Sequence, residues 1–418
     1  MATVALVGTL DTKSSEYLFV AERLRDLGVE VIMIDCGVLG EPGFVPQIDR
    51  YHVARVAGED LDRLASAGDR GAAVQAMSRG AARVVEQLYG EGRLQGALAL
   101  GGTGGTSLAA AAFRPLPLGV PKLIVSTAAA GDNAPYVGET DLILAPSVVD
   151  VAGLNRISTR VLGNAAAAMA GMVTAPPVRP SSDEKPLVAA SMFGVTTPCV
   201  TRAREQLEAL GYEVLVFHMT GAGGRTLESL VSNGVLAGVL DVTTTELADH
   251  LVGGIFDAGP DRLCAAARTG TPAVISLGAL DMVNFGPHES VPERFAGRLT
   301  YRHNATTTLM RTTPEECREL GTQLAAKVGQ SVGPATVFIP LNGISAIAVK
   351  DGAFYDPEAD QELFESVRSG LRDSQVELIE LSCDINAVEF ADAMVQRLHA
   401  AISAAATSGP RPRVHEGD

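Results

Sequence analysis

The chain has 418 residues, 46% apolar and 20% charged, which is enough to bury more than one core and excludes a low-hydrophobicity disordered protein. A net charge of −16 opposes a nucleic-acid surface, because phosphate backbones are held by clustered Lys and Arg. No apolar run reaches membrane-spanning length and no charged-then-apolar leader precedes the first strand-like residues, so the expectation is a cytoplasmic protein without a membrane partner.

TVALVGTL reads as a first strand, and SSEYLFVAERLRDLG carries Leu18, Ala21, Leu24 and Leu27 at helical spacing before Gly28 ends the helix. VEVIMIDCG is the next strand. A helix over AAVQAMSRGAARVVEQLYGEG leads into the strand LQGALALGG, and GVPKLIVSTAA supplies a fourth. Short, nearly continuous apolar strands alternating with helices predict parallel strands covered on both faces. This first lobe is assigned to residues 1–172, and the Pro-, Ser- and charge-rich stretch 173–186 to a linker.

The second lobe, 187–403, repeats the first. PLVAASMFGVTTPCVTRAREQLEALGYEVLVFHMTGAGG parallels the opening strand, turn, helix and strand; GVLAGVLDVTTTELADH parallels GRLQGALALGGTGGTSLAA; TGTPAVISLGALD parallels LGVPKLIVSTAAAGD. Three matches in the same order predict an α/β protein of two related Rossmann-like doubly wound lobes, with mainly parallel sheets and a ligand cleft between them. Residues 404–418 read as a disordered tail.

Turns at strand ends carry the functional signal. In LGGTGGTS, Gly101, Gly102, Gly104 and Gly105 expose backbone N–H groups at a helix start, and Thr103 and Thr106 add hydroxyls, a way to bind phosphate without basic residues. The turn matches neither G-x-x-x-x-G-K-[ST] nor a strict G-x-G-x-x-G, and a turn that lets a helix pack closely is the structural alternative. GTLDTK, at the end of the first strand, offers Gly8, Thr9, Asp11, Thr12 and Lys13: a cation for phosphate, and a carboxylate as magnesium partner or polar anchor. VSTAAAGD adds Ser126, Thr127 and Gly131. Asp35, ending the second strand, sits where dinucleotide-binding folds hold a ribose hydroxyl, or is a plain turn residue.

In the second lobe His218 precedes a glycine-rich turn with Arg225, Asp241 and Glu246 flank Thr243-Thr244-Thr245, Asp281 and Asn284 follow a strand, and YRHNATTT contributes His303 and Asn304. Together His218, Arg225, Asp241 and Asp281 form a candidate catalytic set for acid–base work or for orienting a polar substrate, with Lys13 acting on the phosphates; each taken singly has a structural role as a cap or a core hydrogen-bonding group. The expression IPLNGIS adds a further strand-end turn. No G-x-S-x-G elbow, H-E-x-x-H helix or Cys-x-x-Cys pair is present, and the five scattered cysteines read as reduced and structural.

GTLDTK, LGGTGGTSL, VSTAAAGDNAPYVGETD, DVAGLNRIS, MFGVTTPCV, VFHMTGAGGRTLESL, GVLDVTTTELAD, GALDMVNFG and MRTTPEE, in this order, resemble the family of ATP-binding-domain proteins that includes the N-terminal domain of the tomato mosaic virus resistance protein. The resemblance runs from residue 3 to about 400. It implies a two-lobed Rossmann-like fold, ATP in the first lobe and a homodimer; the plant domain's antiviral role is not carried over. The chain departs from the family at Ala129-Ala130-Gly131 and at ILAPSVVD, so one hydroxyl contact to the ligand is expected to be missing. The resulting expectation is an ATP-binding protein using Mg²⁺, as a ligase or phosphotransferase acting on a small polar substrate in the second lobe. The alternatives are a non-catalytic ATP-binding regulatory protein, and an isomerase or lyase that binds another phosphorylated ligand.

Overall fold

Strand and helix alternate as the hydrophobic pattern demands, and the chain divides into two compact units, Met1–Arg179 and Pro180–Asp418, in a computed structural model that describes residues 1–176 and 184–407. Among the described residues no helix is long and apolar enough to cross a membrane.

The first unit runs β1 (Thr3–Gly8), α1 (Leu10–Asp26), β2 (Glu30–Asp35), α2 (Arg50–Val56), α3 (Leu61–Ala67), α4 (Arg70–Gly90), β3 (Gly96–Gly101), α5 (Thr103–Phe113), β4 (Lys122–Ser126), α6 (Ala134–Val137), β5 (Ile143–Pro146) and α7 (Ser158–Thr174). Its five strands are all parallel in the order β2-β1-β3-β4-β5. Successive side chains point to opposite faces, so each strand feeds two cores. Ala5, Val7, Ala97 and Ala99 pack beneath α4 and α5, while Val4, Leu6, Leu98 and Leu100 pack with α1 and α7. The expected linker starts inside α7, which carries helix to Thr174, and residues 177–183 of it lie outside the described residues.

One side chain opens this sheet. β1 and β3 pair from Val4↔Gly96 to Val7↔Ala99 and no further. Beyond that point the phenol of Tyr17, fully buried on α1, takes over the ladder: its hydroxyl donates to Val7 O (2.6 Å), lies 3.1 Å from Leu100 O and accepts from Leu100 N (2.9 Å). Gly8 gives it room, since a Cβ there would lie 2.0 Å from the Tyr17 oxygen. The close approach at Gly8 is made by Tyr17.

The second unit runs β6 (Leu187–Met192), α8 (Thr197–Ala209), β7 (Glu213–His218), α9 (Ala222–Ser232), β8 (Gly238–Thr243), α10 (Glu246–Val252), α11 (Ala265–Thr269), β9 (Ala273–Gly278), β10 (Met282–Phe285), β11 (Thr300–Asn304), β12 (Thr307–Arg311), α12 (Pro314–Val328), β13 (Ala335–Pro340), α13 (Pro357–Leu371), β14 (Glu377–Leu381) and α14 (Val388–Thr407). Its main sheet, β7-β6-β8-β9-β13-β14, repeats the order of the first sheet with one strand added. The sequence repeat is thus a topological repeat, and both units are doubly wound.

Two features were not foreseen. A separate antiparallel sheet, β10-β12-β11, interrupts the second unit, and the hairpin joining β11 to β12 turns at Asn304, whose Oδ1 accepts from Thr306 N (2.8 Å). Asn304 is a turn former there. α14 also continues to Thr407, so residues 404–407 of the expected tail are helical and the rest lie outside the described residues.

Tyr17→Phe leaves the Leu100 N–H without its acceptor and Val7 O without its donor, and should cost about 1–3 kcal/mol in urea unfolding. Gly8→Ala, which drives a methyl into the same phenol, should also destabilise by about 1–3 kcal/mol. Unchanged unfolding midpoints in both variants would remove Tyr17 as the strut between β1 and β3.

Candidate functional site

An open sheet of this order binds ligands where the winding direction reverses, outside the carboxyl ends of the strands. In the first unit that point lies between β1 and β3, where Tyr17 separates the strands, and a cavity of about 500 Å³ opens there. Val38, Leu39, Leu64, Ala73, Val74 and Leu108 give it apolar lining. Thr9, Asp11, Thr12, Lys13, Gly102 to Gly105, Asp69, Arg70 and Asp150 add polar groups. A concavity that joins apolar surface to placed polar groups is the usual form of a cofactor site.

Helix α5 supplies the donors. Its N-cap residue is Gly102, which has no side chain to cap the helix, so the N–H groups of Thr103, Gly104 and Gly105 lack intrahelical partners, while Thr106 N begins the ladder to Gly102 O (2.8 Å). The positive end of the helix dipole reinforces them. Gly101 keeps the turn tight, because a Cβ there would come within 3.1 Å of Gly105 Cα.

Two cations flank this helix end. The GTLDTK segment runs from the end of β1 into α1, with Thr9 as N-cap residue and a kink at Lys13 (φ −133°, ψ 26°), whose ammonium donates to Val151 O. Arg70, the first residue of α4, reaches across so that a Cβ at Gly104 would lie 3.5 Å from its Nη2. Arg70 escaped sequence reasoning because it is 34 residues upstream of Gly104, in a segment with no motif; its one local signal is Asp69, which caps α4 through Ala72 N (3.0 Å).

Several expected ligand groups have other work. Asp11 anchors through one oxygen: its Oδ2 accepts from Leu39 N (3.2 Å) and Gly40 N (3.3 Å), and with Ser14, which accepts from Gly43 N (2.8 Å), it straps the segment after β2 against α1, while its Oδ1 is buried without a partner. Asp35 is fully buried and accepts from Leu10 N (3.0 Å) and Gly37 N (2.8 Å), which makes it a turn residue with no face on the cavity; burial raises its carboxyl above the ordinary range. The Thr106 hydroxyl is buried against Gly102 O (2.8 Å) and Ser126 Oγ (2.6 Å). Ser126 and Thr127 line a neighbouring hollow instead, and Gly131 lines neither space.

The equivalent reversal point of the second unit, between β6 and β8, is closed. Thr196 Oγ1 and Thr243 Oγ1 meet at 2.7 Å, Ser191 Oγ accepts from Thr243 N (2.8 Å), and Thr243 to Glu246 are all fully buried. The glycine turn before α9 already holds an anion: Glu246 Oε1 accepts from Gly221 N (2.7 Å) and Gly224 N (3.0 Å). Arg262, fully buried, completes the network through Asp241 (2.6 Å to each oxygen), Glu246 (2.7 Å) and Glu228 (3.3 Å). Burial pushes Glu246 and Glu228 above the ordinary carboxylate range, against the pull of Arg262.

The proposed catalytic set is therefore not assembled in one place. Asp241 belongs to Arg262. Asp281 is buried elsewhere, accepting from Ser345 Oγ (2.8 Å), with burial raising its carboxyl. His218 is exposed at the end of the edge strand β7, stacked on Phe193 at 5.3 Å, and Arg225 donates to Asp257 O (3.0 Å). No cluster of His, Cys, Asp and Glu suited to a metal ion occurs among the described residues.

Fold and cavity define a two-unit, doubly wound α/β protein with an open strand-end pocket in its first unit. The chain belongs to the Uncharacterised protein family UPF0261: that family's N-terminal domain profile matches residues 2–177 and its C-terminal domain profile residues 185–402. A UPF0261 protein of Clostridium tetani is 48% identical over 94% of this chain and 98% of its own length. The ToMV resistance protein Tm-1(GCR237) of Solanum lycopersicum is 39% identical, matching 94% of this chain but 55% of the tomato protein. Among solved structures, a thioesterase domain from the curacin biosynthetic pathway aligns at 14% identity and a TM-score of 0.27, covering 52% of this chain and 92% of that domain, a level that adds nothing to the reading of the fold.

Buried Asp249 in α10 illustrates how closed the second unit is. It accepts from Asn284 N (3.0 Å) and Asn284 Nδ2 (2.6 Å), yet burial outweighs these bonds and lifts its carboxyl from 3.8 to about 7. Asp360, paired with Arg311 at 2.6 Å, is also lifted by burial to about 7. The folded state thus holds protons that the unfolded chain releases, and stability should fall as pH rises from about 4 to about 7. Asp249→Asn should flatten that fall when melting is followed across the window; an identical slope would show that Asp249 does not titrate there.

Proposed function

We propose that the first unit binds a nucleoside triphosphate, ATP by the family resemblance, with its phosphates on the N-terminus of α5 and its base against the apolar lining residues. The observation that carries this reading is the uncapped helix start at Gly102 to Gly105, facing a cavity of about 500 Å³ with Lys13 and Arg70 in its lining. A protein of net charge −16 needs such local donors to hold a polyanion. Lys13 is a point charge at the kink of α1 that would exchange Val151 O for a phosphate oxygen, and Arg70 adds a planar fork.

Mg²⁺ fits as a companion of the phosphates. It keeps most of its waters and uses one or two carboxylates; Asp11, whose Oδ2 accepts from the Leu39 and Gly40 amides while its Oδ1 has no partner, lines the cavity with the hydroxyls of Thr12 and Thr103, and these groups would hold it. The ion supplies charge neutralisation at the phosphates. Because the second unit's carboxylates are internally bonded, the reading places ligand chemistry in the first unit, as an ATP-dependent transferase or ligase. The homodimer implied by the resemblance remains part of this proposal.

Calorimetric titration with ATP and Mg²⁺ tests it. Saturable binding is expected, weakened about 10- to 100-fold in Lys13→Ala and Arg70→Ala, each of which removes a charged hydrogen bond. Gly104→Asp, which sets a carboxylate on the helix end, should abolish it. Wild-type protein that does not bind, or all three variants binding normally while folded, would overturn the assignment.

A further inference from the structure

We infer that the hollow beside the glycine turn is a second small-molecule subsite, built for a neutral or cationic compound bearing hydroxyl groups. It rests on the nucleotide reading only in being assigned as that ligand's neighbour. The hollow measures about 490 Å³ and lies between the carboxyl ends of β4 and β5. Two contacts tie it to the nucleotide cavity. Asp150 lines both spaces, and a Cβ at Gly102, in the turn of α5, would lie 3.6 Å from Thr127 Oγ1 in the hollow.

Its lining selects the class of ligand. Asp150 is the charged residue of the wall and no Lys or Arg shares it, so a phosphate or carboxylate compound would meet only repulsion, while an ammonium or hydroxyl group finds an acceptor. Lys13 and Arg70 face the adjoining cavity instead. The two buried serine hydroxyls are spent on holding the walls: Ser126 Oγ accepts from Ala128 N (2.9 Å) and meets Thr106 Oγ1, and Ser147 Oγ donates to Val149 O (2.7 Å). Thr127 and Asp150 are the exposed polar side chains left to meet a ligand.

The rim carries a strained turn. Val148 has φ 66° and is 74% exposed, and Val149 N donates back to Ser147 O (2.7 Å), which closes a three-residue γ-turn in its disfavoured positive-φ form. A β-branched residue in this region is a rarity, and such strain gathers at ligand sites. The turn sets an apolar lip on the hollow, suited to the carbon skeleton of a short polyol or amino alcohol.

Saturation-transfer NMR with glycerol, myo-inositol and ethanolamine as probes, and inorganic phosphate and malonate as anionic controls, tests this with and without a non-hydrolysable ATP analogue. At least one hydroxylated probe should give a signal. Ala130→Trp, and the milder Ala130→Leu, fill the hollow from its rim and should weaken that probe about tenfold or more, with analogue affinity changed less than about threefold. Silence from all hydroxylated probes, a preference for the anions, or signals unchanged in both folded variants would overturn the subsite. If the analogue fails to bind wild-type protein while the probe signal persists and is lost on filling, the nucleotide reading falls and the hollow stands.

Discussion

A parallel sheet cannot open at one end without losing ladder hydrogen bonds, and an unmade bond in a core costs more than the bond itself contributes. Tyr17 resolves that conflict. Its hydroxyl gives Val7 O a donor and Leu100 N an acceptor where the strands part, and its ring fills the wedge. Gly8 must then be glycine, and the turn after β1 and the helix start after β3 are held apart around a cavity. The kink at Lys13 and the strap through Asp11 and Ser14 are built on the same helix, so these polar groups are fixed by the element that carries the wedge.

The second unit meets the same constraint with small side chains. Ser191 takes the amide of Thr243, and Thr196 and Thr243 bond each other, so the strands separate without leaving space. Its glycine turn is occupied by the protein's own carboxylate. A Cβ at Gly224 would lie 1.9 Å from Glu246 Oε2, so the glycine that reads as an approach path for a ligand is an approach path for Glu246. One topology thus gives an open pocket in one unit and a self-liganded scaffold in the other.

Much of this was legible in the sequence. The alternation of apolar strands with helices gave both sheets, and the ordered matches gave their common winding, because strand burial and helix spacing are local signals. The glycine turn at residues 101–105 was visible for the same reason: few other constraints put four glycines at a strand end. What escaped depends on contacts between distant residues. Asp11, Asp35 and Thr106 are the right residue types for a ligand, but Gly40, Gly37 and Ser126 engage the Asp11 Oδ2, the Asp35 Oδ1 and the Thr106 hydroxyl. Arg70 joins the cavity, and Arg262 captures Asp241, without any sequence pattern that links them. The sheet β10-β12-β11 is made of strands too short and too mixed in polarity to stand out.

Arg262 also restricts what the chain can become. Its guanidinium pairs with Asp241, Glu246 and Glu228 with no exposure of its own, so replacing Arg262 strands carboxylates in the interior, at a cost of about 3–5 kcal/mol. That is a large share of the stability of a typical domain. Drift by single substitution therefore meets a barrier at Arg262, and emptying the crevice needs the carboxylates replaced along with it. The second unit is held filled by one residue, while no comparable charge fills the cavity of the first.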